Sequence, residues 1–234
     1  MSYRPSYSGP SVPVDPDATP MHTKTLHVYL YLATTFVAAM IAANLVSGKI
    51  IALGPLFVPA GVLAYSITFA ITDIVCEFWG KERTQVIVRA GFAVQVLVWL
   101  LITLAIQLPP APFWQQQEAY AAVLGATNRI IVASLIAYAV SQTFDVWLFH
   151  RIKIATAGRH LWLRNNVGTV ASQTLDTVLF ITIAFYGTID LLPLIGGQLV
   201  VKWIIALVDT PFVYAGVWLL RRHVPPPSPA GAAA

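Results

Sequence analysis

Two five-residue strings carry the groups best suited to chemistry. Ser172-Gln173-Thr174-Leu175-Asp176 repeats Ser141-Gln142-Thr143-Phe144-Asp145, 31 positions earlier, and Leu179-Phe180 likewise repeats Leu148-Phe149. Each string offers a carboxylate, a carboxamide and hydroxyls, a set made for hydrogen bonding. At 3.6 residues per turn, Tyr138, Ser141, Gln142, Asp145 and Phe149 share one helix face. Thr169, Ser172, Gln173, Asp176 and Phe180 share the equivalent face. Both strings lie inside apolar runs that read as membrane-spanning helices. A carboxylate in hydrocarbon costs roughly 2.5–3.5 kcal/mol. Two of them, each with an amide one turn away, point to a polar cavity. Consecutive spans run in opposite directions, so two similar polar faces suggest an inverted pair around one site. The plainer alternative is that each Gln and Asp bonds a neighbouring helix.

The rest of the chain has to place those faces in a membrane. Its 234 residues are 57% hydrophobic and only 10% charged, with a mean hydropathy of +0.71. Soluble domains carry about 25% charged residues, so the chain reads as an all-α integral membrane protein. The net charge of +4 and the pI near 9.3 do not point to nucleic acid, because the basic residues sit beside apolar spans. They read as orientation signals. One cysteine, Cys76, rules out an intrachain disulfide framework and reads as a packing residue. No signal peptide is evident. Residues 1–22 hold Pro5, Pro10, Pro13, Pro16 and Pro20 and no apolar segment, so they are expected to be a disordered cytoplasmic arm. Residues 224–234 are expected to be a disordered tail, leaving a membrane domain over 23–223.

Six segments are long enough to cross about 30 Å of hydrocarbon. They fall near Leu26–Val46, Gly61–Phe78, Val86–Leu108, Ile130–Phe149, Val167–Tyr186 and Leu199–Leu220. Eleven Lys and Arg residues flank one side of this arrangement, from Arg4 and Lys24 to Arg221 and Arg222; only Lys49, Arg129 and Lys202 belong to the other. The positive-inside rule therefore puts both termini in the cytoplasm. Between spans 1 and 2, two short apolar runs flank Gly54-Pro55, which reads as an extended hairpin or a re-entrant cover on the outer side. Pro109, Pro110 and Pro112 stop span 3, and Phe113 to Leu124 is expected to form a short interfacial helix.

Other polar residues interrupt the spans. Asp73, Glu77 and Gly80 share a face of span 2, with Lys81 or Arg83 ready to pair with Glu77. Span 6 carries Lys202 and Asp209 two turns apart, roughly 10 Å by helix rise. Each is therefore expected to meet another helix. Lys202 either neutralises a carboxylate or snorkels outward. Pro211 removes a hydrogen bond to Leu207 and is expected to kink the helix. Asn44 lies near the outer end of span 1. Span 3, with Gln95 as its main mid-span polar residue, reads as scaffold. Enzymatic motifs are missing: there is no His-Glu-x-x-His, Gly-x-Ser-x-Gly or Walker A string. All five histidines (His22, His27, His150, His160, His223) lie at span ends or outside.

In this order, the polar elements resemble the queuosine precursor transporter family over roughly residues 26–222. They are Thr72-Asp73 with Glu77 and Gly80, Ala137-Tyr138 with Ser141-Gln142 and Asp145-Val146, and Trp162-Leu163-Arg164-Asn165-Asn166. Ser172-Gln173 with Asp176-Thr177 follow, then Lys202 and Asp209-Thr210-Pro211-Phe212 with Tyr214. Gly168 departs from the pattern, since the family often has serine there. The resemblance implies a multi-pass transporter of the bacterial inner membrane. It would import 7-cyano-7-deazaguanine or a related 7-deazaguanine base for tRNA modification. The implied fold is similar to substrate-binding subunits of vitamin uptake systems, so the alternative is such a subunit needing a separate ATPase module. The candidate substrate-binding residues are Gln142, Asp145, Gln173, Asp176, Asn44, Asp73, Lys202, Phe149 and Phe180, with Glu77 and Asp209 as candidates for coupling. A carboxylate suits the adjacent N1–H and amine donors of a deazaguanine, and a Gln amide suits its remaining polar edge. Phe144, Trp79 and Tyr138 join Phe149 and Phe180 as candidate stacking faces. No enzyme activity, cofactor, metal or nucleic-acid partner is expected. The expected partners are a small deazapurine base and the lipid bilayer, and a homodimer is left open.

Overall fold

The protein, described here from a computed structural model, is resolved over residues 23–155 and 161–224. The expected arm (1–22), residues 156–160 and the tail from 225 lie outside the described residues. The chain order is α1 (Thr23–Val46), β1 (Ile50–Leu53), β2 (Leu56–Pro59), α2 (Val62–Trp79), α3 (Lys81–Gln107), α4 (Gln117–Ala155), α5 (Leu161–Phe185) and α6 (Leu191–His223). Among the described residues, five stretches are long and apolar enough to cross a membrane: α1, α2, α3, Gln117–Ile152 of α4, and α6. The Val170–Phe185 part of α5 is a shorter apolar helix. The protein is thus a multi-pass, mostly helical membrane protein with one small hairpin.

That hairpin pairs β1 and β2 antiparallel, with Ile50 opposite Pro59 and Leu53 opposite Leu56. Gly54, first of the two turn residues, has φ of 61°, as a type II′ turn requires. The hairpin is seated on α6. A Cβ at Gly197 would collide with the Phe57 carbonyl, so only glycine lets the two backbones come this close. Val58, Val62 and Val201 close this contact into an apolar cluster.

The helices start and stop differently from the hydropathy reading, for identifiable reasons. α2 and α3 are joined by Gly80 alone, at φ 87° and ψ 170°, a region essentially reserved for glycine. Lys81 to Thr84 are therefore the first turn of α3 rather than a loop, with Glu82 at the positive end of the helix dipole. Residues 117–124, expected in a separate interfacial helix, are instead the start of a 39-residue α4. Gly125 is the only strong breaker in that stretch, and one glycine costs only about 1 kcal/mol. Asn128 ties this extension to α3 by a 2.8 Å hydrogen bond to Thr103 Oγ1. α6 begins at Leu191 because Pro193 falls in the first turn, where the missing N–H has no intrahelical role. Val224, placed with the tail by sequence, packs in the core beside Phe36, Val75 and Trp79.

Apolar packing leaves a space between clusters. One cluster joins α1, α2 and α3 around Phe36, Met40, Val75 and Trp79. A second joins α4, α5 and α6 around Ile130, Ala137, Ile181 and Leu194. Arg129 caps the end of α5, donating to the carbonyls of Ile183 and Tyr186, each at 2.7 Å, the favourable end of that helix for a cation. The Gly80 junction sets the angle between α2 and α3, so Gly80→Ala should destabilise the protein by about 1–3 kcal/mol. Gly125→Ala, with nothing within 4 Å of the added carbon, should be neutral or stabilising. Thermal melting in detergent checks both, and a Gly80→Ala protein that melts like wild type would refute the strain argument.

Candidate functional site

The space between the clusters is a cavity of about 390 Å³, within the roughly 300–1,000 Å³ of small-molecule sites. All six helices and the hairpin contribute to its wall. The two repeated faces meet there: Tyr138, Ser141, Gln142 and Asp145 from α4, and Ser172, Gln173, Asp176 and Phe180 from α5. α4 and α5 form the most extensive helix pair in the protein. Their close packing is what turns two strings in sequence into two sides of one cavity.

Lys202 settles the question of its partner. Its Nζ lies 2.9 Å from Asp176 Oδ2 and 3.0 Å from Thr177 Oγ1. The ammonium is therefore held between α5 and α6 instead of snorkelling. Thr177 is fully buried and also donates to the carbonyl of Gln173 at 2.9 Å. The pair thus sits in an ordered polar network that reaches the amide-bearing turn. Asp209 lies elsewhere, and its Oδ2 has no partner among the described residues.

Several expected site residues fall outside this cavity. Asp73, Glu77 and Asp209 line a second cavity of about 610 Å³ between α2 and α6. Phe69, Gln173 and Lys202 line both cavities and form the partition between them. Glu77 pairs with neither Lys81 nor Arg83; it meets Arg221 of α6 at 3.2 Å, because the one-residue turn at Gly80 carries the α3 cations round to another side. Cys76 is exposed and borders this second cavity, so it is not a packed core residue. Asn44 is buried in α1 with both amide atoms unpartnered among the described residues, and it lines neither cavity. The Phe149 side chain and those of Trp162 to Asn166 lie outside the described residues.

Other wall residues carried little signal in the sequence. Tyr65 Oη and Ser134 Oγ are hydrogen-bonded at 3.0 Å across α2 and α4. Phe92 stacks on Tyr138 with centroids 4.0 Å apart, so α3, read as scaffold, supplies part of the wall. Gln95 does serve as scaffold, donating to the carbonyl of Met40 at 3.1 Å. Gln198 lines the cavity one turn before Lys202, and that spacing was its only clue. Trp79 packs against Tyr29 and Phe78 in the core and Phe144 against Trp147, so neither faces the cavity. Tyr138 and Phe180 remain as aromatic faces.

The cavity wall brings carboxylates, amides and an ammonium together beside aromatic side chains, groups that can hydrogen-bond a polar molecule. Comparison with known proteins agrees with a transport role. Residues 59–216 match the family model described as "Putative vitamin uptake transporter". The "Probable queuosine precursor transporter" of Bacillus subtilis is 30% identical over 181 residues, covering 76% of this chain and 79% of that protein. The "Queuosine precursor transporter" of Escherichia coli is 29% identical over 130 residues, 56% of each chain. No solved structure matches significantly.

The pair between Lys202 and Asp176 is partly buried, so losing one partner should cost about 1–3 kcal/mol, between surface and buried values. Lys202→Ala and Asp176→Ala should each lower the melting temperature, and the double variant should lose less than the sum. Strict additivity would show that the two groups do not stabilise each other.

Proposed function

The chain belongs to the vitamin uptake transporter family and is a relative of the queuosine precursor transporters, and from this premise we propose that it imports a 7-deazaguanine base. It is a membrane transporter rather than an enzyme, as its relatives are. In our reading it acts in the bacterial inner membrane, importing 7-cyano-7-deazaguanine or a related precursor for tRNA modification. The observation that carries the substrate reading is the convergence of the two Ser-Gln-Thr-x-Asp faces on one cavity. Asp176, beside Lys202, accepts the adjacent N–H donors of the base, and Gln173 and Gln142 serve its remaining polar edge. Tyr138 and Phe180 cover its planar faces. The relatives are named as transporters, which does not favour a subunit that waits for an ATPase.

Asp176→Asn is nearly isosteric and should leave the protein folded. Asn offers one acceptor oxygen where the ligand edge presents two donors, so affinity for a deazaguanine should fall about ten- to a hundredfold. Calorimetry with a panel of deazaguanines measures it, and uptake into liposomes without ATP tests transport itself. If Asp145→Asn and Asp176→Asn both bind like wild type, the base lies elsewhere.

In the same reading α5 also crosses the membrane, which makes six spans, and both termini are cytoplasmic. A reporter fused after Arg222 should therefore lie in the cytoplasm, and an external reporter would refute the topology. Asp73, Glu77 and Asp209 in the second cavity are assigned to proton coupling. Uptake should then respond to an imposed pH gradient, and indifference to that gradient would remove the assignment.

A further inference from the structure

The hydrogen-bonding capacity of α6 is not used up within the protein. An ammonium carries three N–H donors. Lys202 Nζ directs one to Asp176 Oδ2 at 2.9 Å and one to Thr177 Oγ1 at 3.0 Å. Its third donor meets no described residue, and Lys202 lines the first cavity. Gln198 stands one turn earlier on the same face, about 6 Å toward the hairpin by helix rise. It is only 8% exposed and lines the same cavity, yet its Oε1 has no partner among the described residues.

The elements packed on this part of α6 are well defined. Gly197 lies against the Phe57 carbonyl of β2. Leu194 clusters with Phe180 and Ile181 of α5, and Val201 clusters with Val58 and Val62. None of these contacts gives the Gln198 amide a bond. A buried amide that bonds nothing in its own protein does not stabilise the fold, and such a group calls for an explanation. A molecule entering the cavity supplies one.

The order of groups on the wall matches the order along one side of the base. Around a 7-deazaguanine the 2-amine, N1–H, 6-oxo oxygen and 7-substituent follow one another. On the wall a carboxylate (Asp176), an ammonium (Lys202) and an amide (Gln198) follow one another. With the two N–H donors on Asp176, the 6-oxo oxygen comes to the third donor of Lys202 and the 7-substituent comes to Gln198. We infer that α6 reads this side of the base, Lys202 binding the 6-oxo oxygen and Gln198 the 7-substituent, and that the Gln198 subsite prefers an uncharged substituent to a protonated amine. This rests on the base-binding reading above. The preference has two causes. The Gln198 amide carries no net charge whichever end turns to the cavity, so it cannot neutralise an ammonium. The ammonium of Lys202, one turn away, repels a second cation.

The test is calorimetric titration of the full chain in detergent with three probes: 7-cyano-7-deazaguanine, 7-aminomethyl-7-deazaguanine and unsubstituted 7-deazaguanine. Wild type should bind the nitrile about three- to tenfold more tightly than the amine. Gln198→Met keeps the length of the side chain and removes its hydrogen bonding. It should bring the nitrile down to the affinity of the unsubstituted base, leave that base unchanged and leave the melting temperature undiminished. Gln198→Glu keeps the size and adds a charge, and should turn the preference toward the amine. A wild-type preference for the amine, equal weakening of all three probes by Gln198→Met, or an unchanged nitrile-to-amine ratio in Gln198→Glu overturns the inference while the base-binding reading stands. Failure of wild type to bind any of the three overturns that reading and the inference with it.

Discussion

Hydrocarbon cannot solvate an ion, so an ionised side chain at membrane depth must find its counter-ion on a neighbouring helix. Lys202 and Asp176 meet this demand across α5 and α6 at 2.9 Å. The bond does more than neutralise two charges. It brings the amide-bearing turn of α5 against α6 and puts an ammonium in the wall shared by both cavities. Thr177 fastens the same ammonium to the buried side of α5. Loss of this contact would release the partition between the cavities as well as one pair of charges.

Backbone devices hold the frame around that contact. Gly80 turns the chain between α2 and α3 in one residue, so the two helices stay adjacent and α3 reaches the cavity with Phe92. The hairpin rests on α6 through the bare backbone of Gly197, and its last residue, Pro59, reaches the cavity wall.

The two cavities divide the acidic residues between them. Asp145 and Asp176, on α4 and α5, line the first. Those on α2 and α6 line a separate space that ends at the exposed pair of Glu77 and Arg221. Phe69, Gln173 and Lys202 stand between.

The sequence alone determined the membrane class, the hairpin at Gly54-Pro55, the apolar cores of the helices and the repeated polar faces. Hydropathy and helical period act locally, and a buried charge is conspicuous in an apolar run. Only the tertiary structure decided where the helices end, because Gly80 permits a one-residue turn and a single Gly125 cannot break α4 against its packing on α3. Partner choice was likewise nonlocal. Lys202 had several acids within conceivable reach, and helix packing gave it Asp176; Glu77 had basic neighbours in sequence, and the fold gave it Arg221. Asp73 and Asp145 looked alike as buried carboxylates, yet the rotation of α2 against α6 put one in the second cavity and the packing of α4 on α5 put the other in the first. Phe92, Tyr65 and Gln198 were ordinary residues in their helices and became part of the wall only through what faces them.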